Sequence, residues 1–324
     1  MTRRIARRPF IAAVLLAAAG RAPAQPRFPD KPITLIVPFA PGGIADITAR
    51  TVAQAMGATL GQTIVVDNRP SAGSIVGSSA VAQAAPDGHT LLLMSNANAV
   101  SASLFKKLPF DVQKDFAPVG TLAFFDLALF VDAGSRLKSV ADVLADAKAR
   151  PGKLTIGTIA AGSTQHLSAE LFKSRTGIDA VVVPSKGTPA VLMALRAGEI
   201  DLAFEIVAPM LSQLSAKAIR ALAVTSDVRH PALGNVPTLA EAGVANYNVA
   251  SWNALAAPKG TPGDIIERLN RAAREALASP AVRQRLADLG VRTQPGSPAQ
   301  LGALLASEIA RWREVIVAAK IEPE

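Results

Sequence analysis

Four short stretches of this 324-residue chain set glycines and small hydroxyl or amide side chains at the ends of apolar runs. The first is "PFAPGGIAD", which follows "ITLIV" and includes Ala40, Gly42, Gly43, Ile44, Ala45 and Asp46. A helix starting near Ile44 or Ala45 points its unpaired N–H groups and positive dipole end at the turn, which makes an anion site. A plain tight turn would use the same glycines. Asp46 reads either as an ordinary first-turn acid or as a group that reaches a ligand through water. The second stretch, "GTIAAGST", has the spacing of a phosphate-binding loop but carries Ser163 where that loop needs lysine. What is left is backbone N–H groups with the Ser163 and Thr164 hydroxyls, a donor set suited to a carboxylate. "NRPSAGSIVG", with Gly73 and Ser74, and "MSNANA", with Ser95 and Asn96, are two further polar strand ends.

Catalytic constellations are harder to find. No G-x-S-x-G elbow occurs, because "GSIVG" has its serine one place too early. His166 follows Ser163 by three, which on one helical turn is a capping or packing spacing, and no partner acid is evident. Asp111 and Asp115 flank Lys114 as solvated loop acids. The histidines, His89, His166 and His230, stand far apart and in no metal-ligand spacing. With no cysteine, thiol chemistry, disulfides and a lipid-modified N-terminal cysteine are excluded. The expectation is a binding site without cofactor or metal.

The first 24 residues read as an export signal. Arg3, Arg4, Arg7 and Arg8 precede the apolar run "FIAAVLLAAAG", and Ala22-Pro23-Ala24 ends it as a cleavage site. That run is too short for a bilayer core, which needs about 20 residues. "RRPFI" has a twin-arginine look with Ala6 in place of a hydroxyl residue, so either export route fits. Cleavage removes five arginines and no acids, and the formal charge of +9 becomes +4. Without a basic stripe carrying aromatics, nucleic acid is not an expected partner.

These loops need elements to hold them. Half of the chain is hydrophobic, with alanine supplying much of that fraction, while aromatics make up 4%. Strand and helix patterns alternate: "ITLIV", then "ADITARTVAQAM", "TIVV", a helix from about residue 75 to 84, and "HTLLLM". A second series starts with "LALFV" and the helix "SVADVLADAKA", where Ser139 stands as N-cap. It continues through "LTIGT", "QHLSAELFKSRTG", "AVVV", "PAVLMALRAG", "IDLAF" and "IRALAVT". "VASWNALAAP" reads as a strand returning to the first series, and two helices close the chain. Such order predicts α/β lobes with mostly parallel sheets flanked by helices. The expected division is 25–125 with 228–324 in lobe 1 and 126–227 in lobe 2, joined by a hinge of two crossings. The ligand site belongs in the cleft between the lobes.

With those residues quoted, the chain resembles the Bug-type receptors, the substrate-binding proteins of tripartite tricarboxylate transporters. The resemblance rests on an ordered series that includes "KPITLIVPFAPGG" with Asp46, "VVDNRPSAGS", "APDGHTLLL", "GSTQHLSAELFK", "VPSKGTPAVLMALRAGEIDLAF", "SWNALAAPKGTP" and "EIARWREVI". It implies a type II-like periplasmic binding protein, a monomer that closes on a small organic acid and hands it to a membrane permease. By the same resemblance Ala40, Gly42, Gly43 and Asp46 fall on the ligand turn, with Ile44 and Ala45 beside them. Gly73, Ser74, Ser95 and Asn96 fall on the other lobe 1 loops. Gly162, Ser163, Thr164, Gln165, His166 and Glu205 fall on lobe 2. Departures from the family pattern are Ala45 for threonine, Ile159 and Ala160 for smaller residues, and Ser185 for tyrosine. Glu205-Ile206 replaces Asp-Asn, and Asn253 replaces phenylalanine. A periplasmic enzyme using the cleft for turnover, or a sensor that presents its closed form to a membrane kinase, are the alternative readings.

Overall fold

A computed structural model describes residues 28–323; the expected export signal lies outside the described residues. The first half of the sheet begins with β1 (Ile33–Val37), α1 (Ile44–Leu60), β2 (Ile64–Asn68), α2 (Ile75–Ala82), β3 (Thr90–Ser95) and α3 (Asn96–Leu104). One long strand, β4 (Phe116–Asp132), leads into α4 (Val140–Ala149), β5 (Leu154–Ile159), α5 (Thr164–Thr176), β6 (Ala180–Ser185) and α6 (Thr188–Ala197). Then come β7 (Leu202–Ile206), α7 (Val207–Ser215) and β8 (Ile219–Val224). The chain returns through β9 (Ala250–Pro258) and ends with α8 (Gly263–Ala278), α9 (Pro280–Asp288), β10 (Arg292–Thr293) and α10 (Pro298–Ala318).

Apolar runs make the central strands because a strand covered on both faces has no solvent side to mark with polar residues. β1 buries four of its five residues, and the parallel pairs β2-β1-β3 and β6-β5-β7 form the two wings. Antiparallel strands join them. β9 pairs β3 on one side and residues 116–126 of β4 on the other. From Leu127 onward β4 instead pairs β7 and β8. The orders β2-β1-β3-β9-β4 and β6-β5-β7-β4-β8 therefore match, the first half taking in β9 from a distant part of the chain and the second using the consecutive strands from the end of β4 to β8.

β4 is longer than the sequence pattern implies, since only "LALFV" was expected as strand. Its first part carries Pro118 and Gly120, and its register with β9 shifts at two places there. Those irregularities erase the alternation that marks a strand. The second crossing is tied to the first at Thr225, which is fully buried. Its hydroxyl lies 3.0 Å from Leu127 O and 2.7 Å from Val249 O.

Two apolar clusters belong to one half each: one around β1 and α8, the other around Phe130, Val191 and Met210. A third runs through both halves, joining Ile36 and Met94 to Ile156 and Phe204 by way of Trp312 and Ile316 of α10. The C-terminal helix thus backs both sides of the boundary. Among the described residues no helix is long and apolar enough to cross a membrane.

Candidate functional site

The "PGG" turn is built by Asp46. This carboxylate accepts from Gly42 N at 2.9 Å, from Asn68 Nδ2 at 2.8 Å and from Arg50 Nε at 3.0 Å. Arg50 also donates to Asn68 Oδ1 at 2.7 Å, and Asn68 reaches back to Phe39 O. Burial alone would raise the Asp46 pKa, but the bonds from Arg50, Gly42 and Asn68 outweigh it and hold the carboxyl below the usual aspartate range. Asp46 is 2% exposed, so it shapes the turn rather than facing outward. Gly42 adopts φ +82, the left-handed region that favours glycine, whereas Gly43 has φ −75. Gly43 is the N-cap of α1 and supplies no side chain, so the first-turn N–H groups of α1 have no side-chain cap. They lie beneath an exposed turn.

The other helix starts differ. The polar stretch at Ser95 and Asn96 is not a loop: α3 opens there with Ser95 as N-cap and a reciprocal capping box with Asn98. Its remaining amides are polar residues with distant partners, which hide a helix from pattern reading. Asn98 bonds Ser78 of α2, and Asn96 Oδ1 accepts from Trp312 Nε1 at 2.8 Å. Gly73 and Ser74 both have positive φ, +57 and +61, and Ser74 makes no capping bond to α2. A serine held there stores backbone strain.

In the second half, Ser163 Oγ accepts from His166 N at 3.1 Å and donates to Ile159 O at 3.2 Å. The hydroxyl expected to donate to a ligand is therefore spent as the cap of α5. The His166 ring is turned away from it: Nδ1 accepts from Gly162 N at 3.3 Å, which puts the proton of the neutral ring on Nε2. Burial lowers the His166 pKa, with Glu170 opposing. Gly162 sits at φ +75, and a Cβ there would run into Leu104 at the end of α3.

Thr164 is one point of contact between halves. Asn96 Nδ2 donates to its Oγ1 at 2.8 Å. Behind it, Gln165 Nε2 donates to Glu205 Oε2 at 3.2 Å, and Ile206 N reaches the same oxygen at 3.1 Å. Glu205 is fully buried and its Oε1 has no partner. Burial pushes its pKa up, against the hydrogen bonds from Gln165 and the Ile206 amide. Asn253 Oδ1 and Thr158 Oγ1 are likewise buried without partners. Asn253 lies opposite Ser95 in the sheet.

The structure thus links Asn96, Thr164, Gln165 and Glu205 directly, and fixes the "PGG" turn through Asp46. Sequence reasoning missed the braces: Arg50 and Asn68 behind the turn, and Trp312 with Glu308 behind Asn96. Trp312 Nε1 also donates to Glu308 Oε2 at 2.9 Å, and Arg311 pairs with Glu308 at 2.8 Å. The "EIARWREVI" stretch held that signal, two polar groups one helical turn apart on a buried face. A surface groove of about 600 Å³ between α1 and the edge strand β2 is lined by Arg50, Gln54 and Val66. It holds no orphaned buried polar atom, so the strand-end loops are the better site.

Comparison with known proteins gives consistent relatives. The family described as "Tripartite tricarboxylate transporter family receptor" matches residues 48–321. Protein BugT of Bordetella pertussis is 38% identical over 291 residues, 89% of this chain and 89% of BugT. Rpa4515 of R. palustris, solved with adipate, is 36% identical with a TM-score of 0.79, over 92% of this chain and 100% of the other. MatC from Rhodopseudomonas palustris, solved with bound malate, is 34% identical with a TM-score of 0.75, over 89% of this chain and 100% of MatC.

Proposed function

The chain belongs to the tripartite tricarboxylate transporter receptors, and on that basis we propose that it captures a small carboxylate between its two halves and delivers it to a membrane permease. It is a solute-binding receptor, and binding involves no chemical step. The family's setting supports a periplasmic location, and the proposed export signal in residues 1–24 of the sequence is in keeping with it. We further propose that the protein works as a monomer whose lobes divide near Asp126 and Asp227.

The observation that carries this reading is the uncapped N-terminus of α1 beneath an exposed, rigidly braced turn. Amide donors and a helix dipole favour an anion there, and lysine is absent from the loop. Gly43, Ile44 and Ala45 would receive the carboxylate, with Ala40 and Gly42 shaping the entrance. Gly73, Ser74, Ser95 and Asn96 would complete the first half. Gly162, Thr164, Gln165, His166 and Glu205 would close over the ligand from the second, with Ser163 holding their helix start. Relatives solved with adipate and malate support an acid as the ligand class.

The test is a thermal-shift panel of small mono-, di- and tricarboxylates beside sugars and nucleotides, with native mass spectrometry of the purified protein. At a ligand concentration one hundred times Kd, binding adds about 2.7 kcal/mol of apparent stability. Acids are expected to shift the melting temperature and the others to leave it unchanged. A shift with a neutral sugar and none with any acid would overturn the reading.

A further inference from the structure

Glu205 stands at the carboxyl end of β7, where the N-termini of three helices of the second half converge. Gln165 belongs to the first turn of α5, Thr188 opens α6, and Ile206 is the N-cap of α7. Gln165 and Ile206 donate to the Glu205 carboxyl group, and Thr188 stands beside it without a hydrogen bond to Oε1. The two donors from Gln165 and Ile206 fall on Oε2, so Oε1 is left without a partner in a side chain that is 0% exposed. An unsatisfied carboxylate oxygen in a protein interior costs free energy and persists where something else meets it.

Its position relates it to the ligand turn. Gln165 adjoins Thr164, the residue bonded to Asn96 across the boundary. Ile206, the next residue after Glu205, packs against the same apolar cluster as Ile44 and Ala45 of the "PGG" turn. Among the described residues no salt bridge reaches the group, and Gln165, Thr188, Ile206 and, across the strand pair, Ala128 beside it carry no charge. Arg50, the base nearest the turn, is already engaged by Asp46 and Asn68.

We infer that Glu205 reads the end of the ligand remote from the "PGG" turn and selects a molecule with one carboxylate and a distal hydrogen-bond donor, a hydroxyl or an amine, over a dicarboxylate of the same length. This rests on the carboxylate reading given above. The α1 amides take the single acid group, and Oε1 accepts from the far end. Wherever Glu205 is ionised, a second carboxylate at Oε1 sets two like charges in one buried place, a penalty that a neutral hydroxyl donor or an amine does not meet.

Isothermal titration calorimetry at neutral pH with length-matched pairs tests this: succinate against ω-hydroxybutyrate, and adipate against ω-hydroxyhexanoate. The hydroxy acid is expected to bind at least about tenfold tighter than the diacid in one of the pairs, a difference of about 1.4 kcal/mol. Glu205→Gln keeps an oxygen for Gln165 and Ile206 and turns an amide donor toward the ligand. It is expected to erase or reverse that preference. Diacids binding as tightly as hydroxy acids to the unaltered protein would overturn the inference, as would an unchanged ratio in the variant. If the variant does not fold, the ranking by the unaltered protein decides. Absence of binding by all four acids and by the wider panel would overturn the carboxylate reading, and this inference with it. Binding with the diacid preferred removes only the inference.

Discussion

Asn96 Nδ2 donates to Thr164 Oγ1 at 2.8 Å, with both residues buried. The two belong to different halves of the sheet, so this bond exists only while the halves are together. Trp312 fixes its geometry from behind by donating to Asn96 Oδ1. Replacing Thr164 by valine leaves the Asn96 amide without an acceptor in the closed arrangement. An unsatisfied buried donor costs about 1–3 kcal/mol. Carboxylate affinity should therefore fall roughly five- to a hundredfold, while Thr164→Ser, which keeps the acceptor, should stay within about threefold of the unaltered protein. Calorimetry on the three proteins measures this; equal affinities would show that the bond does not matter for closure.

Gly42 and Gly43 are adjacent and should behave differently. At Gly42 the left-handed φ penalises any side chain, although a Cβ there would meet nothing within 4 Å. Gly42→Ala should therefore lower stability by about 1–2 kcal/mol. At Gly43 the backbone is extended and a Cβ would make only an ordinary contact with Ala40 O at 3.7 Å. Gly43→Val should cost no more than about 1 kcal/mol through the weaker cap, yet remove carboxylate binding by covering the α1 amides. Thermal melts and ligand titrations of both variants separate the effects. A Gly43→Val protein with normal affinity would reduce the turn to a connector.

Ser163 should act on stability and not on affinity. Its hydroxyl has one acceptor role, to His166 N, and one donor role, to Ile159 O. Ser163→Ala should cost about 1 kcal/mol of ligand-free stability and leave the dissociation constant within about twofold. A large loss of affinity with an unchanged melting temperature would return the hydroxyl to the ligand.

Two buried acids should give pH dependences of opposite sign. Asp46 is held below its ordinary value of 3.8, so its contribution is present above that pH and is lost as pH falls through its lower folded pKa. Asp46→Asn should be less stable than the unaltered protein at neutral pH, with the gap closing in strong acid. Glu205 is raised above 4.5, so the folded state loses stability relative to the unfolded state as pH climbs from 4.5 through its folded pKa. Glu205→Gln should gain on the unaltered protein over that same rise in pH. Melting temperatures across the acid range, without ligand, report both slopes, and slopes of the same sign would contradict this electrostatic account.

The amino-acid sequence determined the elements whose causes are local. β1 and β5 are legible as "ITLIV" and "LTIGT" because strands buried on both faces are unbroken apolar runs, and α4 starts at Val140 because Ser139 caps it. The glycine-bearing turns before α1 and α5, at Gly43 and Gly162, were legible because their causes are local too. Tertiary structure decided what depends on remote partners. It chose Gly42 over Gly43 for the left-handed position, a choice that two identical neighbours cannot reveal. "NANAVSASL" became a helix because Asn96 and Asn98 find Trp312, Thr164 and Ser78 far away in the chain. Pairing with β9, through shifts in register, extended β4 back to Phe116. Glu205 is an acid in any reading of the sequence, but its unpartnered oxygen follows from three helices beginning at one strand end. Short-range patterns fix backbone states within a few residues, whereas the partner of a buried polar atom is set by which distant segments the sheet brings together.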